Sequence, residues 1–202
     1  MSEPLTVLEQ MRMNWFKPDA MIVVYFAVTK FDQVVKRNKD TGKFEQYFKD
    51  LPAAKHDCDT LRKVLDYYKI DEKEDRVFDL SNNPTEKEFM HAYNTEIAAL
   101  LKKGKKDKIN YLTMFLFAGH GIMKDGMQCL VLNEFDTQTN FYKLLPVEDK
   151  IRLYGTVFPN SYNIAIFACC REVWDHNKMH KTCEARNPQA ENRGSGLGGS
   201  YM

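Results

Sequence analysis

Three apolar runs punctuate a chain that is otherwise amphipathic: Met21–Val28, Tyr111–Ala118 and Tyr162–Ala168. Each is too short for a long helix and free of internal charge, the pattern of a parallel strand buried on both faces. Arg76–Leu80 reads as a short second strand. Helical patterns lie between them. Pro52 suits the first turn of a helix, and Ala54, Cys58, Leu61, Leu65 and Tyr68 then recur at helical spacing, giving that helix one buried face. Asn82-Asn83-Pro84 breaks the chain. Thr85-Glu86-Lys87-Glu88 then matches a capping box, in which Thr85 and Glu88 satisfy each other's backbone N–H groups. Phe89, Tyr93, Ile97, Leu100 and Leu101 form the apolar stripe of the helix that follows. Pro146 opens another helix, running to about Thr156, and Pro159-Asn160 turns the chain into the last apolar run. Lys30 to Asp50 is polar, contains the turn signal Asp40-Thr41-Gly42, and is expected to be a loop with little structure. A small strand is expected over Met127–Leu132, after the Lys124-Asp125-Gly126 turn.

This alternation predicts an α/β fold: a three-layer sandwich with a mostly parallel sheet covered on both faces and right-handed crossovers. Residues 20–185 carry the domain. Residues 1–19 read as an N-terminal extension. The apolar pattern fades from about Asp175, and 186–202, with Gly194-Ser195-Gly196-Leu197-Gly198-Gly199-Ser200, read as a flexible tail.

Composition narrows the function classes. With 44% apolar and 28% charged residues, the 202-residue chain is an ordinary globule large enough for a real core. Its 29 basic and 28 acidic side chains leave a net charge of +1, so charge makes no case for nucleic acid or an anionic membrane. The Lys102-Lys103-Gly104-Lys105-Lys106 cluster reads as a solvated helix end, where cations are favourable. No apolar stretch approaches the roughly 20 residues needed to cross a bilayer, and the first residues lack the pattern of a secretory signal. Five cysteines, at 58, 129, 169, 170 and 183, form no metal-ligand spacing and no disulfide framework. A reducing, cytoplasmic setting is the expectation.

The chemistry gathers where two of the strands end. The Tyr111 run delivers Gly119-His120-Gly121, and the Tyr162 run delivers Cys169-Cys170-Arg171. In an open α/β sheet, ligands bind in the crevice beyond the carboxyl ends of the strands. A cysteine attacks carbonyl carbon as thiolate, and a neighbouring imidazole favours that form and can protonate the leaving amine. The flanking glycines let the backbone turn sharply and approach a substrate. The Gly121 N–H could point at a developing oxyanion, with the nucleophile's own N–H as second donor. Each piece alone has a bland reading, a surface histidine in a tight turn and cysteines used as small hydrophobes. Their joint placement past separate strands, His before Cys and about fifty residues apart as in one cysteine-protease family, favours catalysis.

These segments resemble the caspase-like fold of caspases, metacaspases and paracaspases. Phe117-Ala118-Gly119-His120-Gly121 is most similar to the histidine motif of metacaspases and paracaspases, and the Asp125-Gly126 turn with Cys129-Leu130-Val131-Leu132 is closer to paracaspases. Phe167-Ala168-Cys169-Cys170-Arg171 resembles the nucleophile motif. Ala53 to Leu61 is similar to the first-helix segment that carries an aspartate, here Asp57. The resemblance spans about residues 20 to 175. It implies a large-subunit-like catalytic domain and a cysteine endopeptidase with His120 and Cys170 as its dyad and Gly121 and Cys170 as oxyanion donors. Spacing alone leaves the nucleophile open. Aligning Arg171 with the family arginine selects Cys170, whereas aligning Ala168 with the family's frequent alanine selects Cys169.

The resemblance also implies that Asp57 lines a pocket for arginine or lysine before the cut; alternatively it is simply an acid in the first turns of a helix. Two departures stand out. The acid expected two residues before the nucleophile is Ala168 if Cys170 attacks, and no arginine near Leu51 matches the one that holds aspartate in true caspases. The small-subunit region also has no counterpart after Cys170. A homo-oligomer or a partner chain would then complete the cleft, or the chain is an inactive caspase-like binding or regulatory module. Protein or peptide is the expected substrate, with no nucleic acid or membrane partner. The chemistry needs no cofactor, and calcium activation is left open. His176 and His180 read as a solvated tail helix rather than metal ligands. Asp57 and Asp59 are too few for a calcium site, and His56 and His91 read as surface residues.

Overall fold

A computed structural model describes residues 17–68, 71, 73–138, 141–169, 172–173 and 183–185. The chain runs β1 (Ala20–Ala27), β2 (Val34–Arg37), β3 (Phe44–Gln46), α1 (Pro52–Leu65), β4 (Arg76–Leu80) and α2 (Glu86–His91). A π-helical turn (Ala92–Ile97) leads into α3 (Ala98–Asp107). Then come β5 (Tyr111–Ala118), β6 (Gly121–Lys124), β7 (Met127–Asp136), β8 (Phe141–Leu145), α4 (Val147–Val157), β9 (Ser161–Ala168), β10 (Glu172–Val173) and β11 (Cys183–Ala185).

The central sheet has the order β4-β1-β5-β9, and every pairing in it is parallel. Ala27, Ala118 and Ala168 stand in line across β1, β5 and β9, so the carboxyl ends of these strands are level. Period-two alternation sends successive side chains to opposite faces. Met21, Val23, Tyr25, Ala27, Leu116 and Ala118 form one buried layer with Ala54 and Cys58 of α1. Ile22, Val24, Phe26, Phe115 and Phe117 face the other way, against Phe89, Tyr93, Ile97 and Leu101, with Ile151 and Tyr154 of α4 completing that layer. The result is an α/β fold with a four-stranded, all-parallel sheet flanked by helices on both faces.

Local chemistry explains the helix that follows β4. Thr85 and Glu88 form the expected capping box. The π-helical turn widens the rod at Ala92–Ile97 while Tyr93 and Ile97 stay buried. Gly104 is required by packing, since a Cβ there would lie 2.3 Å from Cε2 of Tyr111. The lysines around it are exposed, as expected of a solvated helix end. Asn160 joins this region to β9, its side-chain amide donating to the Leu101 and Ile109 carbonyls at 3.1 and 3.2 Å.

The structure corrects several expectations. Lys30 to Asp50 is not a loop with little structure: β2 and β3 pair in it as an antiparallel hairpin, and β11 adds to β2. Val34 and Val35 are buried there, and the Asn38 side chain accepts the Asp40 and Thr41 N–H groups of the turn at 2.9 and 3.1 Å. The strand expected over Met127–Leu132 extends to Asp136 and belongs to a second sheet of order β10-β6-β7-β8. Tyr68 is not on the buried face of α1; it lies past the helix end and is exposed, because the helix stops at Leu65.

Candidate active site

The order β4-β1-β5-β9 reverses direction at β1: the chain first adds β4 on one side, then returns to add β5 on the other. The crevice between the ends of β1 and β5 is therefore the topological switch point, where open α/β sheets bind ligands. Gly119 and His120 follow the end of β5, and Gly121 opens β6.

Gly119 closes this corner. Its φ of +146° is unfavourable for a residue with a side chain, and a Cβ would stand 3.1 Å from the Val28 carbonyl oxygen. Its N–H donates to the Ala168 carbonyl at 3.3 Å, and the Val28 N–H donates to the Ala118 carbonyl at 3.0 Å. These two bonds tie the ends of β1, β5 and β9 together. Beyond Gly119, the Val131 N–H donates to the His120 carbonyl at 2.9 Å. Gly121 and Leu130 face each other in this antiparallel pairing. The bond from Val131 to His120 makes them a non-hydrogen-bonded pair, whose own N–H and C=O groups point outward. The Gly121 N–H is therefore directed away from β7, to the side on which β10 pairs with β6.

The imidazole of His120 is held by backbone and aromatic rings. Its Nε2 lies 2.9 Å from the Lys49 carbonyl oxygen. A carbonyl only accepts, so Nε2 carries the hydrogen and, in the neutral ring, Nδ1 keeps the lone pair. Phe31 stands edge-on to the ring and Phe48 tilts over it, both with centroids at 4.7 Å. The segment bearing Lys49 is pinned from both sides. The Phe31 N–H donates to the Asp50 carboxylate at 3.0 Å, and the Leu51 N–H donates to the Thr29 carbonyl at 2.7 Å. Thr29 and Lys30 in turn donate their N–H groups to the Asn83 side-chain oxygen, each at 2.7 Å. Asn83 reaches this position with a φ of +52°, which asparagine tolerates better than most residues.

The cysteines divide by environment. Burial, reinforced by the nearby Asp59 and Asp79 carboxylates, pushes the Cys58 thiol up to about 12, and burial also raises Cys129. Burial thus disfavours the thiolate at both positions. Cys169 follows directly on β9, half-buried, and its sulfur accepts from the side-chain amide of buried Gln128 at 3.5 Å. Cys170 and Arg171 lie outside the described residues, as do His176 and His180.

Of the expected site residues, His120 and Gly121 are thus brought together at one corner. Asp57 sits exposed in the second turn of α1, and its neighbour Asp59 pairs with Lys55 at 3.1 Å. His56 and His91 are exposed, as expected. Among the described residues, no three His, Cys, Asp or Glu side chains converge closely enough to hold a metal ion. No helix among them is long and apolar enough to cross a membrane. The Lys49 carbonyl, Phe31, Phe48 and Gln128 escaped the reading of the sequence. The signal for Phe48 and the adjoining Lys49 carbonyl was the aromatic content of Phe44, Tyr47 and Phe48 in an otherwise polar segment; Phe31 and Gln128 carried none. Comparison with protein-family models, curated proteins and solved structures finds no match to this chain.

Proposed function

We propose that this chain is a cysteine endopeptidase of the caspase-like type, in which His120 is the acid/base and Cys170 the nucleophile. The observation that carries the reading is the imidazole at the switch point, with Nε2 committed to the Lys49 carbonyl and Nδ1 left as the basic atom. In the proposed route Nδ1 takes the Cys170 thiol proton, and the thiolate adds to the carbonyl carbon of the scissile peptide. The Gly121 and Cys170 N–H groups hold the oxyanion. His120 then returns its proton to the leaving amine as the C–N bond breaks, giving a thioester. Water loses a proton to His120, adds to the thioester, and releases the acid and the thiol. No metal is needed for any of these steps. The outward Gly121 N–H supports the oxyanion role. Asp57 would favour arginine or lysine before the cut, and the setting would be cytoplasmic.

The test is covalent labelling by a peptidyl electrophile ending in arginine, compared with one ending in aspartate. Mass spectrometry locates the adduct, with and without calcium. The expected result is an adduct on Cys170 that disappears in His120→Ala and is stronger with the arginine probe. An adduct on Cys169 would move the nucleophile by one residue. No adduct from folded protein under any of these conditions would replace the enzyme by a caspase-like binding or regulatory module.

A further inference from the structure

A buried polar side chain is costly unless it is hydrogen-bonded, so its partner says what it is there for. Among the described residues, Thr113 and Ser161 bond to each other at 2.7 Å, Asn160 serves the Leu101 and Ile109 carbonyls, and Ser81 donates to the Asp79 carboxylate. None of these bonds reaches the segments that carry the proposed dyad. Gln128 is the exception. It is 2% exposed, and its side-chain amide donates to the Cys129 carbonyl at 3.3 Å and to the Cys169 sulfur at 3.5 Å.

The strand that carries Gln128 touches both arms of the site. The Val131 N–H of β7 donates to the His120 carbonyl at 2.9 Å, and further back along the same strand Gln128 reaches Cys169. Gln128 stands opposite Met123 of β6, the strand that begins directly after His120. Its own N–H is held by the Glu148 carboxylate of α4 at 3.0 Å. The amide therefore extends from a backbone fixed by β6 on one side and α4 on the other. The buried residues that follow it, Cys129-Leu130-Val131-Leu132, are apolar, so packing alone does not ask for an amide here. Cys169 immediately precedes Cys170 in the chain. A hold on its side chain is thus a hold on the peptide unit the two share.

We infer that Gln128 is a positioning residue for the proposed reaction: through Cys169 it holds the end of β9 in a fixed place beside the histidine corner, so that the Cys170 thiol and N–H meet His120 and Gly121. The inference rests on the catalytic reading with Cys170 as nucleophile. In this role Gln128 takes no proton and touches no reacting atom. Its contribution is to the geometry of attack, where small misplacements are costly.

The experiment is a double-mutant cycle on the full chain, read by the rate of labelling with the arginine-ended peptidyl electrophile. Adducts are mapped by mass spectrometry and the fold is checked by thermal unfolding. Gln128→Met keeps the length of the side chain and removes both donors. It is expected to lower the maximal labelling rate roughly ten-fold, the weight of one hydrogen bond, while the probe concentration giving half that rate stays unchanged. Cys169→Ala should lose as much, and the two changes together no more than either alone. Cys169→Ser supplies a hydroxyl oxygen to accept the same N–H and should keep most of the parent's rate. A general loss of fold would lower the labelled fraction instead and would not be restored by serine. Cys169 is only half-buried, so its two variants test the contact even where Gln128→Met unfolds. A Gln128→Met chain labelled on Cys170 at the parent's rate overturns the inference alone, as do losses that simply multiply or an equal loss in Cys169→Ser. A parent that takes no adduct overturns the catalytic reading and the positioning role with it. An adduct on Cys169 would make Gln128 a contact of the nucleophile itself, which also ends the positioning role.

Discussion

β5 and β9 lie side by side, run in the same direction and read almost alike in sequence, yet the molecule treats them differently. Phe115, Leu116, Phe117 and Ala118 of β5 are buried, whereas Tyr162, Ile164 and Ile166 of β9 stand well exposed on one face. Their ends differ too. β5 runs into a corner fixed by Gly119, the Ala168 and Val28 contacts and the Lys49 carbonyl. β9 ends in Cys169, whose sulfur takes an N–H from Gln128. Apolarity marks both strands as ones that will be covered. It does not say whether the cover is this chain's own helices or another molecule.

The largest test of that contrast is Phe117→Ala. Phe117 is fully buried and lies 5.6 Å from Phe167, 5.9 Å from Phe26 and 6.1 Å from Phe89, measured between ring centroids. Removing a buried phenylalanine ring costs about 3–5 kcal/mol in transfer and cavity terms. Ile166→Ala on β9 should cost only a small part of that, because its side chain has already kept much of its contact with water. Denaturant unfolding of the two variants gives both numbers, and equal costs would erase the distinction between the strands.

Next in size is Gly119→Ala. The new Cβ meets the Val28 carbonyl at 3.1 Å in a backbone conformation side chains rarely adopt, and such strain costs on the order of 1–3 kcal/mol. The loss should be read twice, as a lower unfolding midpoint and as slower labelling by the electrophile. A variant with full stability and full labelling would mean that the corner is not what fixes His120.

These two sites also show what the sequence can reveal. The strands β1, β4, β5 and β9, helix α1 and the Thr85–Glu88 capping box were legible because each rests on a local pattern of apolar spacing or side-chain chemistry. The β2–β3 hairpin was not: its strands are short, and Val34 and Val35 are the only aliphatic signal in a charged stretch. β6 was hidden because Gly121-Ile122-Met123-Lys124 is too short to show alternation. At the site, His120 and its glycines were readable from residue type. Its partner was not, since the Lys49 carbonyl is a backbone group brought in from seventy-one residues away. No side-chain pattern reports where a carbonyl points. The half-exposed face of β9 was invisible for the converse reason: burial depends on the neighbouring strand order, which periodicity leaves undetermined.

A smaller effect is expected at the opposite edge, where Asp79 blunts β4. Burial raises its carboxyl, but the hydrogen bonds from the Ser81 hydroxyl and N–H and the pairing with Arg62 outweigh that, and the net shift is downward. A lowered folded value means the carboxylate favours the folded state above its unfolded value of about 3.9. That contribution is lost as pH falls through the folded value. Asp79→Asn should therefore be destabilising at neutral pH, by less than about 1 kcal/mol for so exposed a pair. The gap should close in acid. A gap that widened as pH fell would mean the acid form is the one this edge prefers.

The smallest effect, and the most discriminating, is expected from Ile164→Thr. Ile164 is nearly half exposed, and threonine keeps the β-branched shape that suits a strand. The change should then stay within about 0.5 kcal/mol, well below the loss at Phe117 on the neighbouring strand. Denaturant unfolding measures it, and a loss as large as that of Phe117→Ala would mean that this face of β9 is packed as tightly as the core of β5.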